Sequence, residues 1–144
     1  MFVSMQPILS FLCRVLLAII FIVSGFNKVT GFDNSVAYIL SKGLPMPELG
    51  AATAAALELV GAAALIVGWR THWAALGLAI YCVLTAYFFH GFWAVPDAQV
   101  AGQTIQFLKN IAMTGGFFGI MAWGAGPWSL DAQQTVQAQT KEIE

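Results

Sequence analysis

The side chains able to do chemistry are Arg14, Lys28, Glu58, His90, Lys109 and Asn110, each within or beside a long apolar run. An ionised side chain in mid-bilayer costs at least about 2.5–3.5 kcal/mol, so such groups face a bundle interior and find partners. Helical rise sets their depth. Glu58 is the tenth residue of the run Leu49–Trp69, about 13 Å below one membrane face, side B. Arg14 lies about 9 Å below the opposite face, side A, and Lys109 about 7 Å below side B. Glu58 is then offset from each base by less than about 8 Å along the normal. This spacing predicts one acid between two bases. Glu58 would accept or relay protons, Arg14 and Lys109 would hold a charged or carbonyl group, and Asn110 would orient it. Lys28 and His90, at helix ends on side B, would join Lys109 and Asn110 in a polar mouth. Two bases against one acid leave a local charge of +1. That suits an anion, a lipid phosphate or a carbonyl such as that of a quinone. A structural alternative stays open, in which Arg14 and Glu58 pair only to fix helix order and the lysines snorkel to head groups.

The elements that must position these groups are set by composition. Of 144 residues, 59% are apolar and 9% charged, with a mean hydropathy of +0.77. A soluble domain carries about 25% charged residues, and disorder needs low hydrophobicity with high charge. Both classes are excluded. A net charge of −1 gives no basic field, so nucleic acid is not an expected partner. Four apolar runs, Ile8–Phe26, Leu49–Trp69, Trp73–Phe89 and Thr104–Trp123, have about the length a spanning helix needs. None shows the alternation of a barrel strand. The expected fold is all-α: an integral membrane bundle of four transmembrane helices, about 8–28, 49–69, 73–90 and 104–123, with both termini on one side. The first run lacks a basic leader and exceeds a typical signal h-region, so it reads as a span.

Between the first two helices, Asp33 or Asn34 can cap a short interfacial helix. Phe32, Val36, Ile39 and Leu40 would share its apolar face, and Gly43, Pro45 and Pro47 would end it; an ordered loop packed on the bundle is the alternative. Residues 1–131 form the membrane domain, and the polar tail 132–144 is expected to be solvated and mobile. Basic residues near the helix ends tie three against three across the two sides, so orientation stays open. Cys13 and Cys82 sit at different depths, which disfavours a disulfide, and no Cys/His spacing suits a metal. Small residues on the second helix, and a Gly115–Gly119 pair on the fourth, suit close packing or dimerisation. The five tryptophans fall near helix ends, as in an aromatic belt.

The quoted residues also carry a resemblance. Arg14 is followed by Phe-Ile-Val-Ser-Gly-Phe-Asn-Lys-Val, giving Phe21, Gly25 and Lys28; Glu58 leads Glu-Leu-Val-Gly, with Gly61 and Gly68 beyond. Lys109 and Asn110 precede Gly115 and Gly116, and the chain closes with Gly-Ala-Gly-Pro-Trp-Ser-Leu-Asp. In these motifs, over about Leu12 to Asp131, the sequence resembles the DoxX family of small bacterial membrane proteins. The close departs from that family's Gly-Pro-Gly order. The resemblance implies a four-helix, multi-pass protein of the bacterial cytoplasmic (inner) membrane. It also implies a link to quinone-dependent oxidoreductases, with whatever enzyme activity that carries left open, because a shared fold does not transfer a reaction.

The leading expectation is therefore a quinone- or lipid-binding subunit or accessory of a membrane redox system. No motif for flavin, haem or metal appears, and no covalently bound cofactor is expected. Membrane lipids, soluble redox proteins and a second copy of the chain are the partners such a role implies. Two other classes stay open: a non-enzymatic anchor or assembly partner for soluble proteins, and a small transporter, since intramembrane charges also mark transport paths.

Overall fold

The computed structural model describes residues 2–143, and these are helical with no strand among them. The helices are α1 (Phe2–Thr30), α2 (Phe32–Ser41), α3 (Pro47–Val67), α4 (Thr71–Phe89), α5 (Asp97–Trp123) and α6 (Leu130–Ile143). Among the described residues, three segments are long and apolar enough to cross a membrane: Ser4–Thr30, Pro47–Val67 and Thr71–Ala94.

Local chemistry explains the boundaries. Pro47 opens α3, where a missing N–H costs nothing, and Glu48 meets the positive end of the helix dipole. Gly68, at φ 71°, closes α3 in the left-handed conformation that glycine adopts freely. The α3–α4 turn is clamped from the far end of the chain. Asp131 Oδ1 and Oδ2 accept from the backbone N–H groups of Arg70 (2.8 Å) and Thr71 (2.9 Å), and Asp131 N–H donates to Gly68 O at 2.9 Å. These bonds satisfy donors that a helix start leaves without partners. Ser129 Oγ caps α6 in turn, accepting from Ala132 N–H at 3.2 Å.

α1 packs chiefly on α3, and α5 on α4, with α3 against α4 between the two pairs. The core is alanine-rich, with Ala18, Ala62, Ala75 and Ala79 around Leu65, Leu78, Cys82 and Phe117. Without a hydrophobic force between helices in lipid, close approach through small residues supplies the packing. A Cβ at Gly25 would meet Leu59 Cγ at 2.8 Å and Glu58 Cβ at 3.2 Å, and one at Gly61 would meet Leu78 Cγ at 3.1 Å. The Gly115–Gly119 pair is not used this way. Nothing lies within 4 Å of a Cβ at Gly115, whereas the neighbouring Gly116 faces Leu17 at 3.1 Å. The outer surface is apolar, with Leu16, Val60, Ile105 and Phe118 all more than half exposed.

Several expectations need correction. α1 extends beyond 8–28 at both ends, and α5 starts seven residues before 104 because Pro96 and Asp97 make a helix start. The tail is a helix, Leu130–Ile143, though its side chains from Gln133 to Lys141 are exposed. In α2, Ile39 is buried on the Gly50 side of α3, but Leu40 is 63% exposed and leaves the expected face. Both cysteines are free, Cys13 exposed and Cys82 buried.

Candidate functional site

Three helices bring their polar groups to one point. Glu58, 2% exposed, lies on the inward face of α3 with Ala51, Ala55, Ala62 and Leu65. Its Oε1 accepts from Ser24 Oγ (3.0 Å), Lys28 Nζ (3.0 Å) and Tyr81 Oη (2.7 Å), and its Oε2 accepts from Lys28 Nζ (3.0 Å). Lys28 Nζ also donates to Ser24 Oγ at 2.7 Å. Each proton of the ammonium group thus has an acceptor, and every contact to the acceptor-only carboxylate is a donor. α1 supplies Ser24 and Lys28 one helical turn apart, and α4 supplies Tyr81.

This cluster lines a cavity of about 950 Å³, the size of a pocket for a drug-sized or cofactor-sized molecule. Its apolar lining includes Phe21, Leu57, Ile80, Leu84, Phe88 and Met113. Lys28, Glu58, His90, Lys109 and Asn110 all line it. His90 Nδ1 lies 2.9 Å from Gln103 Oε1, within hydrogen-bond distance. Buried Asn110 donates from Nδ2 to Gln106 O at 2.9 Å. Lys109 is exposed, and among the described residues the one ion pair is Lys28–Glu58. The expected bridge from Lys109 to Glu58 is absent there.

Arg14 is not part of the cavity, and its expected pairing with Glu58 is not found. It is 1% exposed, and Nη1 donates to Leu65 O (2.8 Å) and Ile66 O (2.9 Å) while Nη2 donates to Trp128 O. These bonds place a fixed cation at the carbonyl-rich end of α3, where the helix dipole is negative. Geometry explains the separation. Arg14, Ala18, Phe21 and Gly25 are the buried positions of α1, and Lys28 continues that stripe. Glu58 lies level with Gly25, about 16 Å along α1 from Arg14 but only about 4.5 Å from Lys28. Depth counted from helix ends fails because those ends are not level.

Ser24 and Tyr81 were not anticipated. Ser24 stands four residues before Lys28 on α1. A tyrosine inside an apolar run needs a hydrogen-bond partner when buried, and this was the signal for Tyr81. The motif ending in Ser129 and Asp131 was also legible without its purpose, which is to hold the turn next to Arg14.

Long apolar helices, an apolar exterior and burial of the mid-span charges Arg14 and Glu58 define a multi-pass helical membrane protein. The chain belongs to the DoxX family, whose model matches residues 9–91. It is similar to "Inner membrane protein YphA" of Escherichia coli (strain K12), 35% identical over 130 residues, covering 90% of this chain and 93% of that protein. "Inner membrane protein YqjF" of the same organism is 32% identical over 118 residues, covering 82% and 85%. The protein is accordingly a multi-pass inner membrane protein. No solved structure matches.

Proposed function

We propose that this chain is a membrane subunit or accessory of a redox system, and that its cavity takes a quinone or a similar lipid-soluble molecule. The observation that carries this reading is Glu58, buried at the wall of a cavity of about 950 Å³ and held by Lys28, Ser24 and Tyr81. The apolar lining accepts a ring and a prenyl tail. Ser24, Lys28 and Tyr81 all donate to the carboxylate, so a proton exchanged at Glu58 has hydrogen-bonded neighbours within 3.0 Å. Asn110 and Lys109, on α5 at the same cavity, face the oxygen-bearing end of the molecule. In this reading α1, α3, α4 and α5 all cross the bilayer, and α2 lies at the interface over the cavity.

The test is binding of a short-chain quinone to the protein in nanodiscs, wild type against Glu58→Gln. Losing one charge-assisted contact set corresponds to about tenfold weaker binding. Equal affinities, or no binding to either protein, would sink the role of the site. A second reading rests on the two-oxygen contact of Lys28 with Glu58: the pair fixes α1 against α3 in a membrane anchor for soluble proteins. It gains if Glu58→Gln lowers folded yield while ligand binding never appears in the wild type.

A further inference from the structure

Charge accounting around the cavity narrows what its occupant must carry. Glu58 is the acid among the lining residues, against Lys28 and Lys109. Lys28 has no proton to spare, because its contacts run to Ser24 Oγ and to both oxygens of Glu58. The Lys28–Glu58 pair is therefore neutral and closed. Lys109 shares the same lining but takes no part in that pair, which is the ion pair found among the described residues. It is exposed, and it sits on the cavity wall one residue before buried Asn110. His90, whose Nδ1 lies 2.9 Å from Gln103 Oε1, brings no negative charge, because an imidazole is either neutral or cationic. Lys109 is thus the lining lysine outside the ion pair, on the wall of a largely apolar space.

We infer that the cavity selects an amphiphile whose polar end is anionic, with Lys109 as the residue that recognises the charge. This rests on the cavity being a ligand site and specifies its ligand class. An apolar body lies along Phe21, Leu84, Phe88 and Met113, and an ionised oxygen at its polar end meets the Lys109 ammonium group. A neutral molecule of the same shape offers the Lys109 ammonium group no counter-charge, so the anionic form alone gains a charge-assisted contact.

Two probes of nearly equal shape isolate the charge: an alkyl hydroxynaphthoquinone, whose ring hydroxyl is ionised at neutral pH, and its methyl ether, which is neutral. Binding of each is measured by quenching of protein tryptophan fluorescence in nanodiscs of zwitterionic lipid. The wild type should hold the anionic probe about tenfold more tightly, the worth of one charge-assisted contact. Lys109→Gln should bring the two affinities within about threefold, chiefly by weakening the anionic probe, while Lys109→Arg should restore the preference. Lys109 is exposed, so these variants should fold as the wild type does. Met113→Trp, which fills the cavity, should abolish binding of both probes. Equal binding by the wild type overturns the inference and leaves the cavity reading standing. So does a preference that survives Lys109→Gln. If neither probe binds, or if Met113→Trp binds both unchanged, the cavity reading fails together with the inference.

Discussion

Glu58 is shared by Ser24, Lys28 and Tyr81, and removing its charge strands the lysine rather than the hydroxyls. Breaking one side of a buried ion pair costs about 3–5 kcal/mol, whereas replacing both partners by apolar groups is often neutral. The Lys28 side chain is 24% exposed and can turn towards the mouth, so the lower end applies. Glu58→Leu should cost about 3 kcal/mol, and Glu58→Leu with Lys28→Met should recover most of that loss. Thermal unfolding in detergent, followed by the helix signal, checks both. An equally large loss in the double variant would mean that packing at α1–α3, not the charge, dominates. At this scale the sequence showed that Glu58 needed an interior partner, since an acid in mid-span has nowhere else to go. It did not show which partner. Arg14 and Lys109 were candidates of the right charge. The choice depended on the relative height of α1 and α3, which Gly25 sets by its close approach to Glu58 and Leu59.

Helix ends carry a separate lesson, centred on the clamp around the α3–α4 turn. Arg14 holds the carbonyl end of α3, and Asp131 holds the amide end of α4. Hydrogen bonds to main chain leave no pattern in side-chain spacing, which is why Arg14 read as a site residue and the Ser-Leu-Asp motif read only as a stop. The periodic apolar runs, by contrast, made the long helices legible. Burial pushes the Asp131 carboxyl up, but the side chain and backbone N–H of Thr71, the backbone N–H of Arg70 and nearby His72 together outweigh this and hold it below the usual carboxylate range. The sign follows from linkage. A carboxylate favoured by folding contributes stability above its unfolded value, about 3.9, and that contribution is lost as pH falls through the lower folded value. Asp131→Asn should therefore have a lower Tm at neutral pH and a flatter fall on acidification from about pH 5 to pH 2. Thermal melts of both proteins across that range decide it. Parallel curves would show that Asp131 contributes no titrating stability.

The whole molecule is divided into a closed half and an open half. Midway between Arg14 and Lys28, Phe21 and Phe117 have ring centroids 5.7 Å apart, and nearer Arg14 Leu17 meets Gly116, so α1 and α5 close the bundle on that side of the cavity. Near the other end the same two helices line the cavity, with Asn27 and Lys28 on one and Gln106 and Lys109 on the other. The proposed fourth crossing follows from how α5 lies on α4. A Cβ at Gly124, just past α5, would sit 3.8 Å from His72 at the start of α4. His90, just past α4, reaches Gln103 early in α5. The two helices are thus antiparallel along the length of α4, which is itself long and apolar enough to cross. At 27 residues, α5 is about 40 Å long against a hydrocarbon core of about 30 Å. It carries Lys109 and Asn110 on the cavity side, where an aqueous mouth lowers the cost of charge. Four crossings put both termini on one side of the membrane, and three would put them on opposite sides. Contacts at the closed end point to four, because Ser10 of α1 abuts Gly126 and Arg14 binds Trp128 O. Reporter fusions at each terminus, one active only in the cytoplasm and one only outside it, should give the same compartment for both ends. Opposite compartments would leave α5 outside the bilayer, and the cavity would then open to water along its α5 wall rather than to lipid.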